Sequence, residues 1–107
     1  MEIPDVFPSE YKLCKILWEN EPIPSMKLMR LCQDKLHWSK STTYTVIRRL
    51  TTRGVIQNEN SICTSQISQL QIQKKTIEKV LELYFEDNLD QMKLVLDCVE
   101  HERLPVD

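Results

Sequence analysis

Residues 38–54 read WSKSTTYTVIRRLTTRG, and the way this stretch coils decides the fold. Ser39 suits the N-cap of a helix, because its hydroxyl can accept a hydrogen bond from an unpaired first-turn amide. Gly54, the only glycine in the chain, suits the position just past the end, where a left-handed backbone costs glycine little. At helical spacing Thr43, Val46, Ile47 and Leu50 share one face and are predicted to point into a core. Ser41, Thr45, Arg48 and Thr52 share the other, flanked by Tyr44 on one side and by Thr42 and Arg49 on the other. No acid interrupts that polar face. Short hydroxyls let a helix approach base edges closely, and arginines reach phosphates. The pattern predicts a DNA-recognition helix, although an exposed, merely solvated face is the alternative that the helix alone leaves open.

The flanking segments supply the context. Ser9 after Pro8 is expected to cap a first helix over 9–19, with Leu13, Ile16 and Leu17 inward and Tyr11 and Trp18 adding aromatic mass. Asn20 to Pro24 must be a turn, since two prolines in three residues exclude a helix interior. A second helix is predicted over 25–36, burying Leu28, Leu31, Cys32 and Leu36. Trp38, just before the cap of the third helix, reads as a hydrophobic staple on the core. Beyond Gly54, an extended start at Val55-Ile56, a turn at Asn58–Ser61 and a half-buried strand over 62–67 make a hairpin. The expected fold is mostly α with a small β-hairpin, a winged helix-turn-helix in residues 1–68.

Residues 69–107 read as a second, helical region. Ser68 with Gln71 has capping-box spacing, and Asn88 with Gln91 gives a similar signal. The first of these helices lines up Ile77, Val80, Leu81 and Tyr84; the second lines up Leu89, Met92, Val95, Leu96 and Val99. Two such stripes cannot both be buried by the pair alone. They either fold back on the first domain or pair with a second chain, and the latter predicts a homodimer.

Charge divides along the same line. Residues 9–56 carry nine lysines and arginines against four acids, and residues 57–107 carry five against ten. A net charge of −2 therefore hides a cationic half suited to nucleic acid and an anionic half with another task. The N-terminus lacks the basic and apolar regions of a secretory signal, and no apolar run spans a membrane, so a cytoplasmic location is expected. Four dispersed cysteines form no paired motif and are expected to be mostly small core residues; Cys63, alternating with isoleucines, is expected on a buried face, with an exposed, redox-sensitive thiol on the wing as the alternative. Cys98 and His101 supply at most half a metal site, so no metal ligands and no cofactor are assigned. One glycine leaves no phosphate-binding loop, and the two histidines, His37 and His101, sit in different regions. No enzyme activity and no small-molecule substrate are expected.

The segments SEYKLCKILWENEPIP and HWSKSTTYTVIRRLTTRGVI resemble the penicillinase-repressor family of bacterial transcriptional regulators. Ser9, Glu10, Leu17 and Trp18 match the first helix of that pattern. Trp38, Ser39, Thr42, Thr45, Arg49, Leu50 and Gly54 match the helix that enters the major groove. The resemblance implies a repressor that binds a palindromic operator as a homodimer through its C-terminal helices. It further implies Ser41, Tyr44 and Thr45 as base-reading candidates, with Thr42 and Arg49 near phosphates. Arg48 is added from helix geometry. The wing departs from the family, having no Lys, Arg or Gly between Gly54 and Lys74, and Glu86-Asp87 stand near the position of a helix-breaking glycine pair. The Asn-Phe dipeptide cleaved in antibiotic-sensing members and the paired cysteines of copper-responsive ones are absent. A second reading follows from that wing: a protein-interaction module with weakened DNA binding that pairs with a related regulator.

Overall fold

A computed structural model describes residues 2–103, so the last four residues of the expected dimerisation region lie outside it. The elements run α1 (Pro8–Asn20), β1 (Ile23–Pro24), α2 (Ser25–Leu36), α3 (Lys40–Thr52), β2 (Ile56–Glu59), β3 (Ile62–Ser65), α4 (Gln69–Phe85) and α5 (Leu89–Arg103). Two compact units emerge, residues 1–73 and residues 74–107.

Local chemistry explains most element boundaries. Ser39 caps α3, its hydroxyl accepting from the Thr42 amide at 3.1 Å. At the other end Gly54 sits at φ +78°. From there its amide reaches the Thr51 carbonyl at 3.1 Å, and the Val55 amide reaches Leu50 at 2.9 Å. This paired C-terminal closure satisfies carbonyls that a helix end leaves open. The reciprocal box at α4 also forms, with Gln71 accepting from the Ser68 amide and Ser68 from the Gln71 amide. Asn88 likewise caps α5 through the Gln91 amide.

The start of α1 corrects the expectation. Phe7, not Ser9, is the N-cap, and Pro8 occupies the first turn, where its missing N–H costs nothing. Glu10 reaches back to accept from the Phe7 amide at 2.9 Å, doing the work assigned to a hydroxyl.

The sheet also has one strand more than the expected hairpin. Its order is β1-β3-β2, all antiparallel, with Ile23 opposite Cys63 and Pro24 opposite Ile62. Proline forbids a helix between α1 and α2 but tolerates an edge strand, so the turn segment pairs with the wing. Glu21 reinforces this joint by accepting from both the amide and the hydroxyl of Ser65, at 3.0 and 2.9 Å. The hairpin turn itself is only Asn60-Ser61, both left-handed, and β2 runs on to Glu59. The Ser25 amide donates to the Ser61 carbonyl at 2.8 Å, tying the wing tip to the start of α2.

The core of the first unit gathers Leu13, Cys14, Leu17, Leu28, Cys32, Leu50, Val55, Ile56, Cys63 and Ile67, with Trp18 and Trp38 packed at its edge. Each fully buried leucine contributes about 2 kcal/mol of apolar burial. Trp18 also donates through Nε1 to the Ile67 carbonyl at 3.0 Å, pinning the chain after the wing to α1. Burial raises the thiol pKa of Cys14 to about 12, that of Cys32 to about 11, and that of Cys63 above its ordinary value. Native-state treatment with iodoacetamide is accordingly expected to leave all three unmodified, read by peptide mass; a label on Cys63 would refute its burial.

In the second unit Met92 is buried, whereas Ile77, Leu83, Tyr84, Leu89, Leu94, Val95, Leu96 and Val99 are exposed. The α4–α5 connection turns on Glu86 and Asp87, at φ +51° and +61°. The Asp87 amide closes α4 by donating to Leu81 at 3.1 Å. A side chain in this left-handed region is strained where glycine is not. Glu86→Gly and Asp87→Gly are each expected to stabilise the fold by about 0.5–1 kcal/mol in urea denaturation; a loss of stability would show that these side chains make compensating contacts.

Candidate nucleic-acid interface

Helix α3 divides as its spacing predicts. Thr43, Val46, Ile47 and Leu50 are buried, and the Thr43 hydroxyl donates to the Ser39 carbonyl at 2.9 Å, so even its polar atom is satisfied. Ser41, Thr42, Arg48, Arg49 and Thr52 are exposed, with Thr45 half-buried among them. Tyr44, a base-reading candidate, is also half-buried and packs on the core, so it divides its surface between the interior and the polar face.

The two ends of this face differ in chemistry. At the N-terminal end the first amides of α3 have no intrahelical acceptor and carry the positive end of the helix dipole. Ser39 donates its hydroxyl proton to Thr42 Oγ1 at 2.9 Å. Thr42 thus accepts inward and keeps its own proton for an outward acceptor. Lys40 lies exposed in the same turn. That end suits a phosphate.

At the C-terminal end Arg48, Arg49, Thr52 and Arg53 join Phe7 and Glu10 around an open cleft of about 530 Å³. The sequence points to Arg48 and Arg49 on this face but not to Arg53 with its partner Glu10, because those two stand 43 positions apart. Glu10 is nearly fully buried at 4% exposure. Its carboxylate accepts from both terminal nitrogens of Arg53. Arg53 also donates to the Asp5 carbonyl at 2.8 Å and lies over the Phe7 ring at 5.6 Å. Burial pushes the Glu10 carboxyl upward, but the Arg53 and Phe7 hydrogen bonds and the charges of Arg53 and Arg49 outweigh it and hold the pKa below the ordinary value. One cation of the positive half is therefore spent on holding α1 to the end of α3. Arg48 and Arg49 form no ion pair with a described residue.

The wing offers a different surface. Gln57 donates to Glu59 at 2.6 Å and accepts from Gln66 at 2.6 Å, leaving an amide-and-carboxylate face without a cation.

Three helices with the third exposed along a polar face, backed by a three-stranded sheet, define a winged helix. The chain belongs to the penicillinase-repressor family, whose profile matches residues 7–107. That family comprises DNA-binding repressors and not enzymes. Among solved structures, the solution structure of the DNA-binding domain of the repressor BlaI is similar, with a TM-score of 0.56 and 22% identity. The likeness covers 64% of this chain and 88% of that one, and at this identity it is a likeness of fold. No curated protein matches the chain. Among the described residues, no helix is long and apolar enough to cross a membrane.

Proposed function

We propose that this chain represses transcription by binding a palindromic operator as a homodimer, with α3 in the major groove and residues 69–107 pairing two copies. One observation carries the reading: α3 turns four residues into the core and presents an acid-free row of hydroxyls and guanidiniums outward. In the groove Ser41, Tyr44 and Thr45 read base edges, while Thr42, Arg48 and Arg49 hold phosphates on either side. The exposed apolar residues of α4 and α5 support pairing, because a second copy would remove them from water. Two-fold symmetry in the protein then requires two-fold symmetry in the operator, with half-sites about one helical turn apart or a multiple of it.

A mobility-shift titration on the promoter region beside the chain's own gene tests this. Binding at nanomolar protein that weakens steeply with salt is expected, together with a doubled mass in analytical ultracentrifugation. Absence of any complex at low salt would reject the reading.

The wing favours a second reading, a module that pairs with a related regulator and scarcely touches DNA itself. Its tip, Asn58-Glu59-Asn60-Ser61, presents one negative charge and no positive one. Mixed dimers with a co-expressed relative, combined with no duplex binding by the pure chain, would establish it.

A further inference from the structure

The cleft at the end of α3 is built for more than joining two helices. Its lining carries three guanidiniums and one carboxylate. That carboxylate is buried, and its oxygens are engaged by Arg53 and the Phe7 amide, so its charge is already compensated within the protein. Arg53 is immobilised by Glu10, the Asp5 carbonyl and the Phe7 ring, which makes it a stiff wall. What remains available is two exposed arginines with no ion-pair partner among the described residues and the exposed Thr52, whose hydroxyl can donate. An excess of two positive charges with a nearby hydroxyl matches a tetrahedral, doubly charged or diester oxyanion better than a neutral ligand.

We propose that this cleft binds a phosphate ester, with Arg48 and Arg49 supplying charge, Thr52 a hydrogen-bond donor, and Phe7 with Arg53 the wall. Two sources share this chemistry. One is the backbone of the duplex that α3 reads, since Thr45, Arg48, Arg49 and Thr52 follow one another along a single helix face; this source rests on the function proposed above. The other is a small phosphorylated molecule. By occupying Arg48 and Arg49 it competes with DNA and relieves repression.

The test uses the full chain, labelled for NMR, with inorganic phosphate as the probe and chloride of equal ionic strength as the control. The Arg48, Arg49 and Arg53 Nε–H signals and the Thr52 amide are expected to shift saturably with phosphate but not with chloride. Thr52→Val, which keeps the branched shape and loses the donor, and Arg48→Gln are each expected to weaken the phosphate affinity by about tenfold. No saturable shift, or equal affinity in both variants, overturns the proposal whether or not the chain binds DNA. Repeating the titration on the protein saturated with promoter duplex separates the sources. Loss of the phosphate response assigns the cleft to the backbone if phosphate in turn fails to displace the duplex, and to a competing effector if it releases the duplex. A chain that binds phosphate and no duplex would retain the site while removing the repressor reading.

Discussion

Replacing Arg48 and Arg49 together by glutamine is expected to weaken duplex binding by about a hundredfold at ~0.1 M salt and to lower the salt slope by about two. Both side chains are exposed and make no ion pair with a described residue, so the native fold loses little without them. Stability in urea should stay within about 0.5 kcal/mol of the parent, as for most surface substitutions. Arg53→Gln makes the necessary contrast. Its guanidinium is engaged by Glu10 and the Asp5 carbonyl, so its loss should appear as instability and leave the salt slope nearly unchanged. If Arg53→Gln moved the slope as much as a change at Arg48, the assignment of the free cations would be wrong. Since the wing contributes no cation, nothing on that side would compensate for the double change.

The second large effect concerns stability and its pH dependence. Glu10→Gln is expected to cost about 2 kcal/mol near neutrality, because it removes charge-assisted hydrogen bonds from a buried acceptor. The folded pKa of Glu10 lies below its ordinary value of 4.5. A depressed carboxyl contributes stability that is fully present above the unfolded pKa and is lost as pH falls through the folded one. The difference between parent and Glu10→Gln should therefore be constant above about pH 5 and shrink steadily below 4.5. Equilibrium unfolding at several pH values measures it directly. A difference that persisted undiminished well below that range would mean that the carboxylate charge plays no part.

These two effects also separate what was legible in the chain from what was not. The caps at Ser39, Ser68 and Asn88, the closure at Gly54 and the buried face of α3 were all readable, because each depends on residues within a turn or two of each other. The burial of Cys63 followed from alternation in the same way. The cap of α1 was misplaced by two residues. A serine after proline looked like the better acceptor, yet Pro8 fits the first turn and Glu10 satisfies the Phe7 amide from inside the helix.

Sequence alone determined that α3 is an amphipathic, acid-free helix inside a winged helix-turn-helix and that two apolar-striped helices follow. Helical periodicity, capping and charge are local properties, and they survive being read without coordinates. Only the tertiary structure decided which arginines are free. Glu10 captures Arg53 across 43 positions, while Arg48 and Arg49 form no ion pair with a described residue beside the same cleft. It also turned the Ile23-Pro24 turn into a strand against β3. Such pairings depend on how distant segments close on one core, where burial rewards a charge only if its partner arrives with it.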